Sequence, residues 1–418
     1  MRILVDQSGY ELLNIGDVAM LQSCIIRLKH QWPDAEIMVI SHAPGQLESY
    51  CPDATAIGRT FADQSLVGYL PRKPRLASEQ AWKMAGPYFS GRLHRRSARD
   101  RPRTAIQAVH AADVVVASGG GYVTDTWWWH AAGVLSLLSL AQRLGKPTAM
   151  FGQGIGPMRQ KALRAQAATV LPSLRILALR EDHIGRGLAL DLGVRPGVIA
   201  LTGDDALELI DDRSVSVGNA LGFNVRVSGY AGVDSSLATA IGDLVLEAAG
   251  TLQAPIVGLP VSRYAVDADV AALRALFRSA RNRPDIILDD IASPEELVSA
   301  TAGCRAIVTG SYHTAVFGLA LGVPTVCLTK SSYYQGKFGG LQSLFPHACF
   351  VVPLDESDCA DRLGGAIFQA WHLPTQARVA ARGTAARLRN AGREAYAHFR
   401  LEIENRTLVT TDNRGLAT

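Results

Sequence analysis

The chain has 418 residues, 48% hydrophobic and 19% charged, which excludes a disordered or fibrous chain and leaves room for two or three packed domains. The net charge of +4 is mild and no nucleic-acid-binding motif is present, so nucleic acid is not an expected partner. No run of about 18 uncharged apolar residues occurs, so no membrane-spanning helix is expected.

Short apolar strands alternate with helical patterns along the whole chain. Met1-Arg2-Ile3-Leu4-Val5-Asp6 reads as a first strand rather than a signal peptide. In the first half the strands are Ile3–Val5, Glu36–Ile40, Asp113–Ala117, Thr148–Phe151, Arg175–Leu179 and Val198–Leu201. Helices are expected at Val18–His30, Ala131–Leu144, Ala162–Leu171 and Ile184–Leu192. In the second half the strands are Leu221–Val225, Pro255–Leu259, Ile286–Leu288, Arg305–Val308, Thr325–Leu328 and Phe350–Val352. The helices between them are Ser235–Ala249, Val266–Ala280, Glu295–Ala302 and Ala315–Leu321. Ser293-Pro294-Glu295-Glu296 has the form of a capping box with proline in the first turn.

Such alternation predicts an α/β protein with parallel sheets covered by helices on both faces. There are too many strands for one sheet. Asp211-Asp212-Arg213-Ser214 divides them into two doubly wound, Rossmann-like domains, 1–212 and 213–372, facing each other across a cleft. Residues 373–418 form a C-terminal helical segment and tail. A basic insertion occupies about residues 60–105, where ten Lys/Arg between Arg72 and Arg103 face only Glu79 and Asp100. It suits an anionic acceptor or peripheral contact with a membrane's inner face, and a solvated helical excursion would look the same. Six cysteines without a C-x-x-C pair read as free thiols in a reducing cytoplasm. No cysteine or histidine cluster has metal-site spacing.

In doubly wound sheets ligands bind beyond the carboxyl ends of the strands. The loops there carry the chemistry. Gly9 to Asp17 follows the first strand, with Asn14 and Asp17 as cap residues and Gly16 permitting close backbone approach. Ser118-Gly119-Gly120-Gly121 to Asp125 and Gly152-Gln153-Gly154-Ile155-Gly156-Pro157 read as glycine-rich loops. Neither matches a P-loop. Leu179-Arg180-Glu181-Asp182 and Thr202-Gly203-Asp204-Asp205 each end a strand, and taken singly each reads as a capped turn. Thr309-Gly310-Ser311-Tyr312-His313-Thr314 joins a strand to a helix, which aims free N–H groups at an anion and places an imidazole beside it.

The order Asn14-Ile15-Gly16-Asp17, Gly119-Gly120-Gly121, Gly152 to Pro157, Arg180-Glu181, Gly203-Asp204 and Tyr312-His313 resembles the polysaccharide pyruvyltransferase family from about residue 3 to residue 345. The resemblance implies a GT-B-like fold and transfer of the enolpyruvyl unit of phosphoenolpyruvate to a sugar or glycan precursor, commonly as a pyruvate ketal. It implies no cofactor, phosphoenolpyruvate being the donor substrate. His313 is then the expected acid/base residue or the partner of the departing phosphate. Arg226, Arg263, Ser311, Thr314, Lys330 and Lys337 are the donor-side candidates in the second domain. Asn14, Asp17, Gly120, Gly121, Asp125 and Gln153 are the acceptor-side candidates in the first. The chain departs from the family at Ser311, where an arginine two residues before the histidine is frequent. A nucleotide-sugar glycosyltransferase is the competing expectation, and a non-catalytic sugar-binding scaffold the third. Oligomeric state and acceptor identity are not encoded in any motif.

Overall fold

A computed structural model describes residues 1–58, 104–211, 216–265, 268–278 and 285–415. The basic insertion, up to residue 103, lies outside the described residues.

Two parallel sheets form two lobes. The first contains β1 (Arg2–Asp6), β2 (Glu36–Ile40), β3 (Ala54–Ile57), β4 (Val114–Ala117), β5 (Gly120–Val123), β6 (Thr148–Ile155), β7 (Ile176–Leu179) and β8 (Ile199–Leu201), in the order β3-β2-β1-β4-β6-β7-β8 with β5 against β6. The second has the order β11-β10-β9-β12-β13-β14, from β9 (Ala220–Asn224), β10 (Ile256–Gly258), β11 (Ile286–Ile287), β12 (Cys304–Thr309), β13 (Thr325–Thr329) and β14 (Cys349–Pro353). In both, strand order reverses beside the first strand, the place where doubly wound sheets open a crevice. β4 and β13 are buried at every position, as a central parallel strand with both faces covered must be.

The helices that matter to the site are α1 (Ile15–Gln31), α2 (Pro44–Tyr50), α3 (Ala105–Ala111), α4 (Trp128–Arg143), α5 (Lys161–Val170) and α6 (Gly185–Asp191) on the first lobe. On the second are α7 (Ser235–Leu252), α8 (Asp269–Leu276), α9 (Pro294–Ala302), α10 (Tyr312–Ala320), α11 (Ser332–Leu344) and α12 (Cys359–Trp371). Ser293 caps α9 by accepting from Glu296 N. The final helix, α13 (Thr375–Gly415), starts on the second lobe, where Arg378 donates to Arg305 O at 2.9 Å. It ends on the first, where Tyr396 stacks on Phe151 at 3.7 Å and Phe399 meets Trp32. Tyr396 also donates to Asp205, which holds Arg27 of α1 at 2.6 Å.

Some elements differ from expectation for physical reasons. β6 continues through Gly152-Gln153-Gly154 instead of ending in a loop, because Gly152 at φ +57° admits a bulge opposite β7. β5 makes Gly120-Gly121 strand as well. The lysine-bearing stretch after Lys330 is helix α11, capped by Ser331. Its glycines hid it, since glycine weakens a helix, yet a Cβ at Gly340 would lie 2.8 Å from Glu181 Oε2 of the other lobe. Among the described residues no helix is long and apolar enough to cross a membrane.

Candidate active site

The lobes touch first through backbone. Ile15 N donates to Val261 O at 3.0 Å, Arg263 N donates to Leu13 O at 2.8 Å, and Asn14 bridges Ser262. Asn14 caps α1, its Oδ1 accepting from Gly16 N and Asp17 N. That cap fixes the N-terminus of α1 against the second lobe.

Against it stands His313. β12 ends at Thr309, whose Oγ1 accepts from Ser311 N at 2.9 Å, and α10 begins one residue later. Every residue of α10 is buried, so the histidine is carried into the interface by a packed helix rather than a loop. A Cβ on Gly16 would fall 1.9 Å from His313 Nδ1, so glycine is the residue that fits there. The ring is 8% exposed. Its Nε2 lies 3.8 Å from Asp204 Oδ2, too far for a hydrogen bond. Burial pushes the imidazole down to about 4, with Asp204 opposing and Arg180 and Lys337 assisting, so at neutral pH it is an uncharged acceptor.

Arg180 follows β7 and is 1% exposed. Its guanidinium lies 4.1 Å over the Tyr312 ring, and Nη1 reaches Asp204 Oδ2 at 3.4 Å. Nε and Nη2 have no partner. From the second lobe Lys337 of α11 places Nζ 4.1 Å over the Tyr333 ring. Cβ atoms on Gly121 or Gly154 would come within 2.5–2.8 Å of Lys337 or Arg180, so the two glycines are what let the two cations approach. Burial, and then Arg180, hold the Lys337 ammonium well below the usual lysine range. Burial raises Asp17 to about 6 against the hydrogen bond from Ser8, and burial also raises Glu181.

Arg180 and Lys337 line a small interlobe cavity together with Gly121, Thr124, Glu181 and Gly336. Thr124 Oγ1, Arg180 Nε and Nη2, Glu181 Oε2, the Tyr312 hydroxyl, His313 Nε2 and Thr314 Oγ1 are all buried without a hydrogen-bond partner. Each such atom costs about 1–3 kcal/mol in a finished core. Those of Thr124, Arg180 and Glu181 belong to residues that line the cavity, and a polar ligand there would give them partners.

The expected residues divide accordingly. His313, Lys337, Asp17 and Gly121 are brought together, and Asn14 holds the helix end beneath them; Thr314 is buried on α10 with its hydroxyl unpartnered and does not line the cavity. Ser311 sits at the α10 cap position, without a side-chain capping bond. Gln153 is fully buried and donates to Ser118 O and Tyr122, which shapes β5 and β6. Gly120 makes room for the Tyr122 ring. Asp125 accepts from Arg159 N and Gln160 N and fastens that turn. Arg226 pairs with Asp269 at 2.8 Å and donates to the Tyr230 hydroxyl at 2.7 Å. Arg263 and Lys330 are exposed and do not line the cavity. The functional groups missing from the sequence reading are Arg180, Glu181, Asp204 and Tyr312. Each lies just beyond a strand end, in a motif that carries the family resemblance but was given no role of its own.

The model of one protein family, polysaccharide pyruvyl transferase, matches residues 14–332. The chain belongs to that family. It is a transferase, and the matched span includes every residue around the cavity except Gly336 and Lys337. No curated protein matches the sequence. Among solved structures, the UDP-GlcNAc 2-epimerase of Neisseria meningitidis bound to UDP-GlcNAc is similar with TM-score 0.58 at 11% identity, covering 95% of this chain and 99% of that one. The UDP-GlcNAc 2-epimerase of Methanocaldococcus jannaschii has TM-score 0.54 at 13% identity over 89% and 93%. Anabaena HepE in complex with UDP and glucose has TM-score 0.52 at 13% identity over 99% and 100%. At such identities the likeness is one of fold, the GT-B arrangement of two facing lobes.

Proposed function

We propose that this transferase moves the enolpyruvyl unit of phosphoenolpyruvate onto a sugar or glycan-precursor hydroxyl and closes it to a pyruvate ketal. The observation that carries the reading is the buried Arg180 guanidinium with two unpartnered nitrogens, beside Lys337 and the neutral His313. A forked cation and an ammonium suit a small molecule bearing both phosphate and carboxylate. Arg180 then supplies, from the first lobe, the guanidinium that Ser311 does not supply in the second.

In this reading the hydroxyl oxygen bonds to C2 of the donor while His313 Nε2 accepts its proton, and Asp204 steadies the imidazolium. The double-bond electrons take a proton at C3 from a carboxyl kept protonated by burial, Asp17 or Glu181. The tetrahedral adduct expels phosphate, held by Arg180 and Lys337. The His313 imidazolium passes its proton to the departing phosphate, a second hydroxyl adds at C2, and its proton returns to the carboxylate that supplied C3. The donor brings its own leaving group, so the scheme uses no resident cofactor.

Phosphorus and proton NMR of the purified protein with phosphoenolpyruvate and a panel of sugars test the reading. Phosphate release that requires both, with a new methyl singlet on the product, supports it. Release of UDP from UDP-sugars with phosphoenolpyruvate untouched contradicts it.

A further inference from the structure

α11 lays one face on the first lobe. Tyr333, Gly336, Lys337 and Gly340 stand at i, i+3, i+4 and i+7, the spacing that puts helical residues on one side. A Cβ on Gly336 would come 2.8 Å from Ile184, so the helix backbone is pressed against the first lobe where the glycines pass it. Tyr333, at the head of this face, makes polar contact across the interface. Its hydroxyl donates to Gly121 O at 3.0 Å and accepts from Trp127 Nε1 at 3.1 Å, both in the first lobe. Burial holds the phenol above the ordinary tyrosine range, so it stays a donor. Gly121 lines the anion cavity, which puts this bond in the cavity wall itself.

Lys337 follows one turn later. It is half-buried and lines the same cavity, which leaves its ammonium within reach of a ligand. Its surroundings are aromatic. Nζ lies 4.1 Å from the ring centroid of Tyr333, 5.7 Å from that of Tyr312 and 5.8 Å from that of Tyr334. Among the described residues no carboxylate forms an ion pair with it. A ring face attracts a cation through its quadrupole and leaves the charge unneutralised. A carboxylate in that place would neutralise the ammonium and compete with an incoming anion. Tyr333 is the nearest of the three rings, and its hydroxyl is the one tied to the first lobe. The Tyr312 hydroxyl is buried without a partner, and Tyr334 stacks on Tyr230 of its own lobe.

We propose that Tyr333 is a positioning residue of the donor site: its ring holds the Lys337 ammonium at the cavity without neutralising it, and its hydroxyl fixes that ring to Gly121 and Trp127, so that both lobes set where the charge stands. The proposal rests on the reading that Lys337 grips an anionic donor, and it adds what aims that lysine. Simple packing is the competing account, since Tyr333 is buried in the core of the second lobe. The two accounts part at phenylalanine. Tyr333→Phe keeps the packed ring and removes both bonds to the first lobe.

The test joins NMR and calorimetry on the full chain. In ligand-free protein carrying isotopically labelled lysine, the Lys337 ε-methylene resonance, assigned by its loss in Lys337→Met, is expected upfield of the other lysines, where a ring current places it. Tyr333→Phe keeps part of that shift and Tyr333→Leu loses most of it. Phosphoenolpyruvate affinity, read by calorimetry, falls about threefold in Tyr333→Phe and about tenfold in Tyr333→Leu, the range of a cation–π contact. In the Lys337→Met background Tyr333→Leu changes affinity by less than about twofold, because the residue it acts through is gone. The assignment is overturned if the parent shows no ring shift or if Tyr333→Phe binds the donor like the parent. It is equally overturned if Tyr333→Leu costs the same affinity with and without Lys337, as a packing defect would. A parent that binds no phosphoenolpyruvate, yet shows the shift and loses it in Tyr333→Leu, would sink the donor assignment and leave the positioning of Lys337 standing. Donor binding without the ring shift would do the reverse.

Discussion

Arg226 and Arg180 are buried arginines, one from each lobe. Each follows the end of a parallel strand, β9 and β7, and each is buried, at 7% and 1% exposure. Around Arg226 the fold supplies Asp269, whose second oxygen also accepts from Val261 N, Ser262 N and Asn224 Nδ2. Around Arg180 it supplies one long contact to Asp204 and an aromatic face, and leaves two nitrogens unanswered. Burying a charge is costly unless it is paired and hydrogen-bonded. Where the chain provides the counter-ion, the arginine is architecture. Where the chain provides one long ion pair and leaves two nitrogens unanswered, the proposed function makes the arginine a receptor for an outside anion.

The comparison can be broken by exchanging the two outcomes. Arg226→Met strands a buried carboxylate and is expected to lower unfolding free energy by about 3–5 kcal/mol, measured by urea titration. A loss below about 1 kcal/mol would remove the architectural role. His313→Ala is expected to slow transfer by about 10²–10⁴, the range of one general acid/base group, with the unfolding midpoint little changed. Unaltered turnover would take the imidazole out of the chemistry. Arg180→Met is expected to cost about 10²–10³ in transfer rate while leaving stability level or higher, because an apolar side chain replaces an under-paired ion. A variant that unfolds and keeps its specific activity would make Arg180 the structural residue instead.

Most of the architecture was legible in the sequence. The alternation of short apolar strands with helical periods gave two parallel sheets, and twelve expected strands all have counterparts, since buried parallel strands read as continuous apolar runs. What escaped were elements whose local signal is weak. β3 is four residues long and only partly buried, and α11 carries three glycines, two of which, Gly336 and Gly340, leave no room for a Cβ against the other lobe. The site was legible in part. His313 stood out because a lone imidazole follows a strand end. Lys337 drew notice as a cation near that motif, although it lies on a helix. Arg180 and Asp204 did not stand out, because a charged residue after a strand looks alike whether its partner is present or absent. Partnership is a three-dimensional property, built here from β7, β8, α10 and α11, which are far apart in sequence.

The account's central claim is that the cavity is an anion receptor waiting for its charge. Burial has pushed Asp17 up to about 6 and His313 down to about 4, and has depressed Lys337. A bound dianion raises all three, so binding takes up protons and affinity falls as pH rises, most steeply above about pH 6, where the free protein has lost the Asp17 proton and the complex still holds it. Calorimetric titration of phosphoenolpyruvate at pH 7, in two buffers of different ionisation enthalpy, measures this directly. The account predicts net proton uptake by the parent protein and no measurable binding by Arg180→Met. Proton release, or equal binding by the two proteins, would contradict it.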